Sequence, residues 1–543
     1  MSFRLRRFAM LASLTAAVAV AFPAVAAAKV LLVGTYKGIP GEYKTIQAAA
    51  DAARPGDWIL IGPGDYKTTT VESPKGHPNV PAAILLDKPL VFVRGMNRNT
   101  VVIDGTKPGT PECSSKPSAQ SYGPKYDGKA AGLNGIEVWE ADNVWVQNLT
   151  TCNFTSGSGD TGNEIWWNGG AGGGRIHGKD FVASYLNATS SFYSKNESLD
   201  STYGLFSSDF SGGIFDHDYA SNFNDAGFYI GGCSDQCDQT IENSQSEYNA
   251  LGYSGTNSGG SMLIEHNKFD QNEDGFDTNS QNNSDWPSPQ NGACLPGVKP
   301  LISGAPTCWI LYDNDIYDNN NPNVPAAGSA AAGPVGTGVS IEGENDTVMD
   351  NTITDNGSWG VVFEPYPDFE TPPANVTAAG MACHGGMANY SLLGLTINCV
   401  YDDWGNALVD NKFTNDGYNG NPTNGDFAEL TLSGGNAENC YVGNTDSSGQ
   451  LTTLAATLQS TYTSCGTVVQ TPDVDETFLL EAACDTEALG KSGGQIIGCQ
   501  PGDKYARVTR VVMHPLPRNL PTMPHPCAGV PANPWCPAKK KKG

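Results

Sequence analysis

Asp277 stands two residues after Gly275, and Glu342 and Glu364 stand four residues after Gly338 and Gly360. Carboxylates placed side by side raise one another's pKa. One is then kept protonated as a general acid near neutral pH while another serves as base. Such a pair suits cleavage of a glycosidic bond, with its separation deciding the stereochemistry. Trp139, Trp166, Phe206 and Tyr229 occupy the equivalent places two or four residues into earlier repeats. Aromatic faces stack on the apolar C–H surface of sugar rings. Asp277, Glu342 and Glu364 are therefore the candidate acid/base groups, and the four aromatic residues the candidate sugar platforms. Glu429 extends the acidic row by one repeat. The competing reading is an ordinary solvated or packed face, because solenoid ladders place like residues together for structural reasons.

Two further constellations carry charge. Asp216, Glu242 and Glu265 follow Phe215, Ile241 and Ile264 at matching positions. Three stacked carboxylates repel unless solvated, protonated or bridged by a cation, and Ca2+ suits hard oxygen ligands drawn from several repeats. His217 and His266 come one position later, but two repeats, roughly 10 Å, separate them, too far to share one metal. Screened surface charge is the plainer account of this row. Arg175, His177 and Lys179 follow the Gly169–Gly174 run and form the only basic cluster in an acidic stretch. On a loop over the aromatic face they would bind a carboxylated sugar or supply a lyase base. As a hinge they would be ordinary solvated charges.

The elements that must position these groups are repeats. A Gly before an apolar alternation recurs at Gly204, Gly227, Gly252 and Gly275, and again at Gly338 and Gly360. Between these glycines an apolar residue is followed by Asn three on, an apolar residue five on, and Asn or Asp eight on. Ile264, Asn267, Phe269 and Asn272 fit, as do Leu311, Asn314, Ile316 and Asn319, and Val348, Asn351, Ile353 and Asn356. Asn tolerates the left-handed backbone of a tight turn. Repeats this short bury no face alone and must stack. The pattern predicts short strands in parallel sheets, with Asn side chains laddered from coil to coil. At the N-terminus, Thr45 is the expected N-cap of an Ala-rich helix to about Ala53, covering the open end of the stack.

The opening helix and strand together with the Asn-turn coils resemble the right-handed parallel β-helix proteins of the pectin-lyase-like superfamily, over about residues 30–470. The resemblance implies an all-β, right-handed parallel β-helix solenoid. It leaves the reaction open, since the family includes pectate lyases, polygalacturonases, alginate epimerases and lyases, and non-catalytic surface proteins. The polygalacturonase motifs do not carry over. Asn444-Thr445-Asp446 occurs, but Asp402-Asp403 precedes it, and neither Gly-His-Gly nor Arg-Ile-Lys follows.

Arg4, Arg6 and Arg7 before an apolar run, then Ala26-Ala27-Ala28, read as a signal peptide over residues 1–28. No later stretch is long enough for a transmembrane span. In a secreted chain the 14 Cys are expected in disulfides. Cys294/Cys308, Cys383/Cys399, Cys440/Cys465 and Cys484/Cys499 are plausible local pairs, and the C-x3-C of Cys233 and Cys237 fits a disulfide better than a metal site. Residues 29–470 are expected to form the β-helix domain, 471–512 a capping segment with a helix over Val474–Cys484, and 513–543 a Pro-rich basic tail, extended or disordered. The net charge is -26, which excludes a nucleic-acid binder. Residues 134–470 hold 41 acidic and 6 basic residues, so a neutral glycan or a cation-dependent partner fits better than a bare polyanion. The expected protein is a monomer acting on polysaccharide as a hydrolase or lyase, with Ca2+ the one cofactor in view. The alternative is a non-catalytic glycan-binding or adhesin solenoid.

Overall fold

The computed structural model describes residues 28–170, 175–234, 236–282, 290–328, 330–332, 335–392, 395–485, 502 and 504–538. The leader, Cys499 and Lys539–Lys542 lie outside the described residues.

Three long sheets, parallel throughout, run along the chain. The first has 12 strands, from Val30–Val33 to Cys440–Val442. The second has 11 short strands, from Gly64–Lys67 to Thr445–Asp446. The third has 11, from Ala82–Leu86 to Thr453–Leu454. Each coil visits them in that order, as in Met262–Glu265, Lys268–Asp270 and Asp274–Asn279. The next coil restarts at Trp309–Tyr312.

Alternation along each strand sends one set of side chains inward. On the third sheet Ile165, Leu205, Phe228, Tyr253 and Phe276 stack in register on successive coils, all fully buried. Burying each contributes about 2 kcal/mol. The outward set is Glu137, Trp166, Phe206, Tyr229, Ser254, Asp277, Ser340 and Val362. This is the outward register read from the glycine spacing.

The asparagine ladders form as expected. Asn267, Asn314, Asn351, Asn411 and Asn444 pass side-chain hydrogen bonds of 3.0–3.1 Å from coil to coil. A second ladder joins Asn249, Asn272, Asn319, Asn356 and Asp416. The left-handed backbone sits elsewhere than expected. It falls on the residue before each ladder Asn, namely His266, Asp313, Asp350 and Asp410 in the first ladder. That frees the Asn amide to bond a backbone carbonyl within the core, as Asn351 does to Leu311 at 3.0 Å. The repeat glycines also differ from turn punctuation. Gly252, Gly275 and Gly338 lie inside strands, and an added Cβ would come within 2.3–2.5 Å of the next coil's carbonyl oxygen.

The N-terminal helix spans Ile46–Ala52, and the Thr45 hydroxyl accepts from the Ala48 amide at 3.3 Å. Ile46, Ala49 and Ala50 close the core. At the other end the core is closed by the short helix Leu458–Thr461, with Leu458 buried in it. The helix expected to cap that end spans Glu476–Asp485 and lies instead on the flank of the third sheet. There Phe478 is buried against Trp359, Val362, Ala428 and Leu430, an outward apolar patch that the helix covers.

Residues 504–538 are extended, and they retrace the solenoid backwards. Asn421, Asn222 and Asn99 each pair reciprocally with the tail backbone, at Lys504, His514 and Leu520. Trp535 ends the strap, 3% exposed, among Tyr36, Trp58 and Leu60, with its indole N–H on the Ile39 carbonyl. Disulfides join Cys113–Cys152, Cys233–Cys237, Cys294–Cys308, Cys383–Cys399, Cys440–Cys465 and Cys527–Cys536.

Candidate functional site

Asp277 leaves the outer face of strand Asp274–Asn279. Ile341 and Phe363 are register partners on the next two coils, so Glu342 and Glu364 follow at one level, a coil apart. Coils are spaced by about 4.8 Å. Asp277, Glu342 and Glu364 are 8, 9 and 8% exposed. The insertion 366–404, which carries the antiparallel strands Tyr366–Asp368, Met387–Leu392 and Leu395–Tyr401, forms a wall beside them. The three carboxyls keep less than a tenth of their surface exposed, and we call the narrow strip between this wall and the sheet the slot. Asn282 pins this wall, bonding Asp368 and taking the Cys383 amide.

The electrostatics of the slot are one-sided. Burial pushes the Asp277 carboxyl up to about 7, and the Asn279 amide donates to it at 3.0 Å. Burial first, then the Asp277 charge, raises Glu364 to about 7, against a 3.3 Å hydrogen bond from the Ser340 hydroxyl. Glu342 is held well above the carboxylate range by burial and then by Asp277, Glu364, Asp274 and Asp403. Its buried Oε2 has no hydrogen-bond partner. A carboxyl group so placed favours the protonated form.

Several members of the cluster escaped the sequence reading. Asp274 adds its charge from the head of the strand that bears Asp277. Tyr366, whose hydroxyl accepts from Gln281 Nε2 at 2.6 Å, is raised by burial and then by Glu342 and Asp277. It lies in an insertion with no repeat to index it. Asp225, raised to about 7 by burial and by Asp277, accepts from the Tyr203 hydroxyl at 2.9 Å. Its position two residues before Gly227 was the available signal. Glu429 does not extend the row. Its register partner is the inward Phe363, so it points into the core and bonds the Tyr441 hydroxyl.

The aromatic row lies where expected, but its faces are largely taken. Trp166 and Phe206 stack on each other at 4.6 Å and 11°, and Phe206 meets Tyr229 edge-on at 4.7 Å. Val80 and Tyr203 pack on them, leaving 8–9% exposure. Trp139, at the head of the row, is half-buried beside His77 at 4.6 Å. Arg175, His177 and Lys179 do not cover this face. Gly178–Lys179 pairs with Phe210–Ser211 in the turn that leaves the third sheet, and His177 lies 3.3 Å from Glu140. Within this cluster, residues 171–174 lie outside the described residues.

Asp216, Glu242 and Glu265 are in register on the first sheet. Their oxygens do not converge. Asp216 pairs with His217, and His266 bridges Glu265 and Asp313 at 3.7 and 3.2 Å. Among the described residues the one trio of metal-binding types within 4.8 Å is Asp104, Cys113 and Cys152, and its two sulfurs are joined in a disulfide. A separate cavity at the N-terminal cap is lined by Lys44, Asp65, Tyr66 and Lys67, far along the solenoid from the carboxylates, and Lys67 there is paired to Asp65 and Asp104.

The three continuous parallel sheets define the class: the chain is a right-handed parallel β-helix protein. No family model and no curated protein matches it. Among solved structures it is similar to the A-module of a mannuronan C-5 epimerase from Azotobacter vinelandii, at 15% identity and TM-score 0.42, over 74% of this chain and 88% of that one. It is similar to the pectate lyase Pel9A at 13% and 0.36, over 77% and 78%. It is also similar to a family 28 exopolygalacturonase of Yersinia enterocolitica at 11% and 0.40, over 77% and 75%.

Proposed function

We propose that this protein is an exported enzyme that cleaves a polysaccharide, with Asp277, Glu342 and Glu364 as its acid/base groups. The observation that supports this most is the meeting of three buried carboxylates from successive coils in one slot, where burial favours the protonated form of all three and the Asp277 charge adds to it at Glu342 and Glu364. Acid/base cleavage needs one carboxyl that holds its proton and one that gives it up near neutral pH. Six disulfides among the described residues fit an oxidising compartment. No helix of the described residues is long and apolar enough to cross a membrane. The epimerase, lyase and exopolygalacturonase named above act on polysaccharides, and this chain has their fold.

A second reading, a non-catalytic glycan-binding solenoid, draws on Trp139, the one ring of the four that keeps an intermediate exposure. The test is a polysaccharide panel assayed for binding and for product, with and without chelator. Product that disappears in Glu342→Gln and Glu364→Gln, with melting temperature retained, supports the enzyme. Binding without product supports the second reading.

A further inference from the structure

The slot lacks a counter-charge among the described residues. Among the described residues none of Asp274, Asp277, Glu342 and Glu364 forms an ion pair, and the charged neighbours that raise Glu342 are all acidic. Between residues 196 and 490 the chain holds only Lys268, Lys299 and Lys412 and no Arg. Lys268 and Lys412 sit on the second sheet, away from the slot, and Lys299 is on an exposed turn. The hydrogen bonds that reach the cluster come from neutral groups, the Asn279 amide, the Ser340 hydroxyl and the Phe276 backbone amide.

Elimination or epimerisation of a uronic acid begins with loss of the proton beside the sugar carboxylate. Negative charge then builds on that carboxylate, and a cation set against it stabilises the step most strongly. A uronate in this slot would instead face the ionised member of Asp277 and Glu364 at close range, and like charges in a buried setting repel strongly.

Resting on the reading of this slot as a glycan-cleaving centre, we infer that its substrate is an uncharged glycan and its reaction hydrolysis. Glu342, whose buried Oε2 has no partner, carries the proton. It passes that proton to the glycosidic oxygen as the C1–O bond breaks and the bonding pair stays with the leaving oxygen. One water adds its oxygen to C1. Its proton goes to the ionised member of Asp277 and Glu364, so one water is consumed and no double bond forms.

The experiment measures binding and cleavage of neutral oligosaccharides and of oligouronates of equal length, by the full chain, with Ca2+ and with chelator. Neutral oligomers are expected to bind at least about tenfold more tightly. They should yield reducing ends without the ultraviolet absorbance of an unsaturated product, regardless of chelator. The Glu342→Gln/Glu364→Gln variant should gain affinity for uronates and lose cleavage of neutral oligomers. Uronates that bind as well as neutral oligomers, or an unsaturated product lost in Glu342→Gln, overturn the inference and leave the enzyme standing. Binding of neither class overturns the glycan reading and the inference with it.

Discussion

Glu342 and Glu364 leave the third sheet at one register level a coil apart, and neither forms an ion pair among the described residues. A fold kept for stability alone gains nothing from this. Two buried carboxylates at that spacing cost more than apolar residues of the same size.

Replacing Glu342 by Gln removes the proton donor and one repulsion together. Turnover should fall by about 10²–10⁴-fold, while the melting temperature holds or rises. Steady-state kinetics beside calorimetry check this. A fall in melting temperature equal to that of a core deletion would mean that Glu342 serves packing.

The pH dependence follows from the raised carboxyls. Asp277 and Glu364 titrate at about 7 in the folded chain and at about 4 unfolded. The stability contributed by their neutral forms is fully present below about pH 4 and is lost as pH rises through about 7. The chain should melt higher at about pH 5 than at about pH 8. Asp277→Asn with Glu364→Gln should flatten that slope in part, leaving the share due to other raised carboxyls, among them Asp225, Asp270 and Glu429 at about 7 and Asp416 at about 8. Melting curves across this range decide it.

Trp139 and Trp166 should separate. Trp166 stacks on Phe206 and donates to the Ser208 hydroxyl at 3.0 Å, so Trp166→Ala should cost about 3 kcal/mol of stability. Trp139 is only partly buried at the head of the row. Trp139→Ala should weaken glycan binding by about tenfold through lost stacking, with little change in melting. Isothermal titration beside denaturation reads both.

The C-terminal strap should hold the N-terminal coils. Trp535→Ala removes a ring buried against Tyr36 and Trp58 and should destabilise by about 3 kcal/mol. Hydrogen exchange should speed first in strands Val30–Val33 and Trp58–Ile61. Uniform change along the solenoid would contradict a local clasp.

Asn351 tests the ladders. Its amide bonds Asn411 and the Leu311 carbonyl, and its oxygen takes the Asn314 amide at 2.9 Å. Asn351→Ala leaves buried backbone groups unpaired and should cost about 3 kcal/mol, measured by denaturant unfolding.

Much of this was legible because a solenoid writes its register into the chain. The glycine spacing put Asp277, Trp166, Phe206 and Tyr229 on one face, and the Asn spacing announced the ladders. What escaped lies off the repeat. Tyr366 comes from an insertion, and the strap's Asn partners are ordinary turn residues until the tail is laid over them. Glu429 failed because the strand Gly425–Glu429 pairs one place away from the extrapolated register, which turns the side chain inward. The Asp216–Glu242–Glu265 column was aligned correctly, yet alignment along a sheet does not make oxygens converge. Neighbouring His and Asn side chains take them up first.

The most direct test of the acid/base centre is reducing-end release from the best panel substrate by the wild-type chain and by Asp277→Asn, Glu342→Gln and Glu364→Gln, each shown to keep its melting temperature. The account predicts turnover by the wild type and a loss of about 10²-fold or more in each variant. Turnover that survives Glu342→Gln, or a folded wild-type chain that binds the glycan and never cleaves it, would contradict it.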